Sequence, residues 1–195
     1  MLHACDSFVF ALINGVAGRY PVVDGLAQLV VNDYLVPSTL ALLLVFLWLQ
    51  GGNSRERMRN SSGVINAIVA QFVANIVLKG ANLVYFRPRP FDSDPNVNLL
   101  FYRPWDSSCP SNPATFAFAV ATAVFLADRR LGAFALCLAT LWAGSRVFAG
   151  VHYPLDVLAG AALGGATAYW ISRRSRVAQW VREHVLALLR KGLVA

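Results

Sequence analysis

The sequence predicts an all-α fold: a polytopic membrane bundle of about five transmembrane helices, with short N-terminal interfacial helices and a C-terminal amphipathic helix. Three observations predict it. Only 14% of the 195 residues are charged, against roughly 25% in an average soluble domain. Hydrophobic residues make up 57% of the chain and the mean hydropathy is +0.53. Apolar runs close to the roughly 20 residues needed to cross a bilayer recur along the chain, with basic residues at their ends.

Within residues 1–33, Asp6, Asn14, Arg19, Asp24, Asn32 and Asp33 interrupt the apolar runs 8–13 and 26–31, which predicts two short helices at the membrane interface. No basic leader precedes a clean apolar core, so no cleavable signal peptide is expected. Five spans are expected at 34–50, 64–86, 112–127, 131–149 and 155–172. In the tail, 175–193, Val177, Trp180, Val181, His184, Val185, Leu188 and Leu189 fall at helical spacing among basic residues, the pattern of an amphipathic helix lying on a leaflet. There is no internal repeat or linker, so residues 1–195 read as one domain with its core at 34–172.

The net charge of +7 does not point to nucleic acid, because the basic residues gather at span ends. Arg55, Arg57 and Arg59 follow the first span, Arg129 and Arg130 the third, and Arg173, Arg174 and Arg176 the fifth. The positive-inside rule makes that side cytoplasmic and turns the loops 87–111 and 150–154 outward. Cys5, Cys109 and Cys137 have no metal-ligand spacing.

Polar residues are costly in lipid and mark where a site gathers. The second span carries Gln71, Asn75, Lys79 and Asn82 on one helical stripe, which is expected to face protein. For Gln71 and Asn75 hydrogen bonding between helices is sufficient reason, whereas the lone ammonium of Lys79 calls for an anion or a route to the surface. In Arg87-Pro88-Arg89-Pro90 each proline disfavours helix in the residue before it, holding two guanidiniums near the outer face, either for phosphate or for ordinary headgroup contact. Ser111 is placed to cap the third span and Pro113 to sit in its first turn, leaving N–H groups, that of Asn112 among them, free for an anion. His152 precedes Asp156 by four residues at a helix start, so the carboxylate is expected to receive one ring N–H and leave the other nitrogen basic, with Arg146 nearby.

Ser145-Arg146, five residues, His152, three residues and Asp156 together resemble the third signature of the type 2 phosphatidic acid phosphatase family, which includes vanadium haloperoxidases. The order and spacing of the family's two earlier signatures, Lys-six residues-Arg-Pro and Pro-Ser-Gly-His, are similar here, so the resemblance runs from about residue 34 to 172. It implies a helical bundle with a metal-independent, cofactor-free lipid phosphatase site at one membrane face. Arg89 would bind phosphate, Ser111 would donate its hydroxyl, Arg146 would clamp the equatorial oxygens, His152 would form a phospho-histidine and Asp156 would orient it. Charge and location add Arg87 and Arg103.

Two positions depart from the pattern. The family's lysine falls on Asn82, with Lys79 one turn earlier, and the histidine expected to protonate the leaving group is Pro113. An alkoxide leaving group has a conjugate acid about as weak as water, pKa near 15.7, whereas a phosphate leaving group has a pKa of about 6. General acid catalysis typically gives about 10²–10⁴ in rate, so its loss cripples a monophosphatase and spares a diphosphatase. The expectation is therefore hydrolysis of a polyprenyl diphosphate, such as the undecaprenyl carrier of cell-wall synthesis, at the outer face of a bacterial cytoplasmic membrane. Its partners would be the lipid phosphate and membrane lipids. The alternative is a pseudoenzyme that keeps the anion pocket as a lipid-binding or structural subunit.

Overall fold

The computed structural model describes residues 2–174 together with Trp180 and His184; the tail helix expected at 175–193 otherwise lies outside the described residues. The described residues form α1 (Leu2–Asn14), α2 (Pro21–Val31), α3 (Leu35–Leu49), α4 (Ser54–Val84), α5 (Pro90–Ser93), α6 (Asn112–Ala127), α7 (Arg129–Phe148) and α8 (Pro154–Arg174). The bundle is all-α, as expected.

Local chemistry sets the boundaries. Asn53 caps α4 by accepting the N–H of Glu56, whose carboxylate accepts the N–H of Gly52 in return, a reciprocal cap. That cap carries α4 back to Ser54, so Arg55, Arg57 and Arg59 occupy its first turns and not a loop as the sequence reading has it. Asp128, the single residue between α6 and α7, accepts the N–H groups of Arg130 and Leu131 and folds the two helices into a hairpin. At its other end α4 stops short of Arg87-Pro88, where proline blocks further helix.

At the centre stands α6, with α4, α7 and α8 packed around it. Its alanines 114, 117, 119, 121 and 123 are all buried, together with Val120 and Val124, so small side chains on every face let neighbours approach. The approach to α8 is close at two points: a Cβ on Gly160 would lie 2.4 Å from the Ser111 carbonyl oxygen, and one on Gly164 would lie 2.2 Å from that of Thr115. Leu40, Leu47, Val124 and Trp142 anchor the main apolar core. Large side chains at the periphery, including Phe46, Phe72, Ile76, Leu83 and Trp170, are exposed, an apolar surface far beyond the isolated patches of soluble proteins.

One expectation is met in part and two need correction. Among the described residues two helices, α4 and α7, are long and apolar enough to cross a membrane, or three spans result if α2 and α3, bent by 49° at their junction, act as one. The other two expected spans fall outside that measure, because α6, at 16 residues, is only about 24 Å long, and α8 is diluted by Asp156 and its glycines. The N-terminal segment is not merely interfacial: α1 packs on α7 and α8 and buries Asp6, Asn14 and Phe10. Finally, the polar stripe of α4 lines an open groove, with Lys79 exposed.

Gly164→Val is expected to destabilise the protein by about 1–3 kcal/mol or more, because its side chain meets backbone that cannot yield. In thermal unfolding in detergent, Gly165→Ala serves as the comparison, since a Cβ there meets only the Thr122 hydroxyl, at 3.5 Å. Equal stability of the two variants would contradict the close approach.

Candidate active site

The C-terminal ends of α4 and α7 and the N-terminal ends of α6 and α8 meet at one end of the bundle. Arg59 and Arg173 line one pocket with the α6 terminus at the opposite end. The chain leaves α7 through Gly150, whose φ of +82° suits glycine and whose Cβ, if present, would lie 2.9 Å from the Asn98 carbonyl oxygen. Asn14 of α1 fastens this turn, its amide donating to the carbonyls of Asn98 and Phe148, both at 2.8 Å.

His152 follows directly and is buried. Its Nδ1 lies 2.9 Å from the Ser108 carbonyl oxygen. A carbonyl only accepts, so Nδ1 carries the proton and Nε2 the lone pair. Nε2 sits 3.2 Å from a guanidinium nitrogen of Arg89. Burial, followed by the charges of Arg89 and Arg146, holds the imidazole pKa well below its ordinary value, so the ring rests neutral.

Asp156 does not take the ring N–H as its spacing suggests; its nearer oxygen is 4.0 Å from Nδ1. It accepts instead from the Ser108 hydroxyl and from Arg87, each at 2.5 Å, and from the Tyr153 N–H at 2.8 Å. The carboxylate therefore positions His152 at one remove, by fixing Ser108. Arg87, expected to bind phosphate, is sandwiched between Asp156 and the buried Asp6. Burial opposes its charge, but the hydrogen bonds and charges of the two acids outweigh burial and raise its pKa. With both acids on it, Arg87 has no free charge to offer a ligand.

Arg89 and Arg146 are different. Each guanidinium is buried, with 4% and 3% of its side chain exposed, but their partners Asp106 and Asp33 are 40% and 41% exposed. Arg89 donates to Asp106 Oδ1 at 2.7 Å, and Arg146 to Asp33, which also accepts from Tyr102 at 2.8 Å. Two phosphate-suited guanidiniums thus hold carboxylates that solvent and ligand can reach. Ser111 is fully buried with its hydroxyl unpartnered, and it caps nothing through its side chain. A buried free hydroxyl is costly, and an anion oxygen would satisfy it.

Beside Asp106 opens a cavity of about 480 Å³ lined also by Lys79, Asn82, Asn112, Tyr102 and Trp105. The side-chain oxygen of Asn82 is buried there without a partner. Arg103 does not join the site: it is exposed and its guanidinium lies 5.4 Å from the Phe91 ring centre. Among the described residues no cluster of His, Cys, Asp or Glu could hold a metal ion. Burial and the charge of Asp156 push the Cys109 thiol up to about 11, which removes it as a competing nucleophile. The spacing does not single out Ser108 and Asp106, whose signal is that acids and serines crowd the segment after Arg103, nor the roles of Asp6 and Asp33, whose signal is that each interrupts an apolar region.

The family profile described as "PAP2 superfamily" matches residues 63–180. The chain is 31% identical to undecaprenyl-diphosphatase BcrC of Bacillus subtilis over 150 residues, 77% of this chain and 74% of that protein. It is 31% identical to the putative undecaprenyl-diphosphatase YbjG of Escherichia coli over 205 aligned residues, covering 100% of this chain and 99% of that one. The crystal structure of LpxE from Aquifex aeolicus superposes with a TM-score of 0.66 and 28% identity, covering 86% of this chain and 93% of the other.

The resting imidazole sets a pH expectation. An ordinary histidine protonates near 6.5; with its folded-state pKa depressed, His152 should stay neutral as pH falls through that value, while the unfolded chain takes up the proton. Its contribution to stability is therefore lost progressively below about 6.5. NMR titration of the ring, assigned by difference from His152→Gln, should show no inflection between about pH 8 and 6; an inflection near 6.5 would contradict the neutral resting state.

Proposed function

The chain belongs to the PAP2 superfamily and is a multi-pass membrane phosphatase, and we propose that it hydrolyses a polyprenyl diphosphate, such as undecaprenyl diphosphate, through a phospho-His152 intermediate. The observation that carries the reading is the buried His152, with Nδ1 donating to the Ser108 carbonyl and the Nε2 lone pair facing a guanidinium N–H of Arg89. The names of the two bacterial relatives agree with the substrate class.

In this reading the terminal phosphate exchanges with Asp106 and Asp33 on Arg89 and Arg146, and the Ser111 hydroxyl donates to a third oxygen. Fixed donors of this kind stabilise charge on the phosphoryl oxygens without reorganising. Nε2 attacks phosphorus as the bridging P–O bond breaks and the lipid monophosphate leaves into the cavity beside Lys79, Asn82 and Asn112. Pro113 offers no proton to that leaving group, and a phosphate, with a pKa of about 6, needs none. Water then releases inorganic phosphate from the histidine.

Phosphate release by the purified protein, without added metal, should be well above background on a polyprenyl diphosphate. It should be lower by about 10²-fold or more on the matching monophosphate, and abolished in His152→Ala. Equal release from wild type and His152→Ala, or none from either, would return the chain to the non-catalytic, lipid-binding reading.

The topology proposal is that α6 and α8 cross the membrane beside α4 and α7, with the bent α2–α3 pair as a further crossing, and that the single domain opens its site to the extracytoplasmic side of a bacterial inner membrane. The supporting pattern is charge: Arg55, Arg57, Arg59, Arg129, Arg130, Arg173 and Arg174 all sit at the bundle end opposite His152. A reporter inserted after Arg103 should read extracytoplasmic and one after Arg129 cytoplasmic; the reverse result would overturn the orientation.

A further inference from the structure

We propose that Asp106 is the general base that activates the hydrolytic water in the second half of the reaction, a role that Pro113 cannot fill. This rests on the phospho-His152 reading above. The location is the first argument. Asp106 Oδ1 lies 2.7 Å from one terminal nitrogen of Arg89, and the other terminal nitrogen of that guanidinium lies 3.2 Å from His152 Nε2. The carboxylate is thus one guanidinium away from the reacting atom, on the cavity side. It lines the same cavity as Lys79, Asn82 and Asn112, the space vacated when the lipid phosphate departs.

The other carboxylates near the site are less suited. Asp156 and Asp6 are fully buried and held by Arg87. Asp33 is as exposed as Asp106, but it pairs with Arg146 and accepts from Tyr102, and it does not line that cavity. Asp106 combines solvent access, a link to the nucleophile's own arginine and a place on the cavity wall.

Its charge state explains why it suffices. A carboxylate released from Arg89 by the incoming phosphate can accept a proton from water and has none to give. It cannot protonate an alkoxide in the first step, but it can deprotonate water in the second. As the water oxygen bonds to phosphorus, Asp106 takes the proton and the P–Nε2 bond breaks. Its electron pair returns to the ring as the Nε2 lone pair, with Nδ1–H still on the Ser108 carbonyl. Inorganic phosphate leaves and Asp106 passes its proton to solvent. A site with this base and no acid selects anhydrides over esters, so Asp106 and Pro113 together set the specificity.

The test is rapid quench with a short-chain polyprenyl diphosphate labelled in its terminal phosphate, comparing the wild type with Asp106→Asn, which keeps an oxygen for Arg89. The expected result is a retained burst of lipid monophosphate, accumulation of label on His152 and steady-state turnover lower by about 10²–10⁴-fold. Formate should restore turnover to Asp106→Gly, which covers the case in which the amide variant folds poorly. A role confined to holding Arg89 predicts slower labelling or a higher KM with no accumulated intermediate, and that result would overturn the proposal. So would turnover of Asp106→Asn within about threefold of wild type, far short of the loss typical for a missing base. If the wild type itself neither labels His152 nor turns over, the phosphatase reading fails; if only the Asp106 outcomes fail, this inference alone falls.

Discussion

The buried carboxylate of Asp156 ties four parts of the chain together. Its side chain accepts from Arg87 after α4, from Ser108 before α6 and from the Tyr153 amide at the start of α8, while its backbone carbonyl accepts the N–H of Ser111. Through Arg87 the network reaches Asp6, whose other oxygen accepts the N–H of Leu155. A charge with no exposed surface is tolerated only when paired and hydrogen-bonded. Loosening any one partner would leave another uncompensated, typically at about 3–5 kcal/mol, so this cluster holds α1, the linker after α4, the 107–111 segment and α8 in one register. His152 inherits its position from that register, through the Ser108 carbonyl.

The three arginines at the site divide by the exposure of their partners. Arg87 pairs with two acids of zero side-chain exposure and belongs to the framework, whereas the partners of Arg89 and Arg146 are about two-fifths exposed. A half-solvated carboxylate loses little on returning to water, so a dianionic phosphate competes with it on favourable terms. The ligand-free site is therefore kept folded and electrically balanced without being blocked. The aromatic faces of Phe101 and Trp142, 4.6 and 5.0 Å from the Arg146 guanidinium, hold that side chain in place whether or not Asp33 is on it.

Along the chain, the site was legible where its chemistry is local. His152, Asp156 and Arg146 lie within eleven residues, and their spacing alone brings them to one helix junction. Arg89 was marked by its prolines. Arg87 was misassigned because its location was correct and its partners were not visible: Asp6 is 81 residues away. Ser111 occupies the N-cap position its spacing suggests, but its hydroxyl does not cap the helix and is buried without a partner. The acids read as interruptions of apolar runs, Asp6 and Asp33, turn out to be the counterions of Arg87 and Arg146, and Asp33 is delivered by the break between α2 and α3.

Composition and hydrophobic run length determined, without any structure, an all-helical membrane protein, and the resemblance carried by one short motif pointed to a phosphatase with His152 as its candidate nucleophile, because each is a property of neighbouring residues along one chain. The bounds of α6 followed in the same way, its start from Pro113 in the first turn and its end at Ala127 from the end of an apolar run. Which arginine is held by buried acids and which by exposed ones, that the Ser108 carbonyl and not Asp156 holds the ring, and that a cavity joins Lys79, Asn82 and Asn112 to Asp106 were decided only by the tertiary fold. Those outcomes depend on which distant carboxylate reaches a given guanidinium and on how deeply each pair is buried, and pairing and burial are properties of packed helices that no linear spacing encodes.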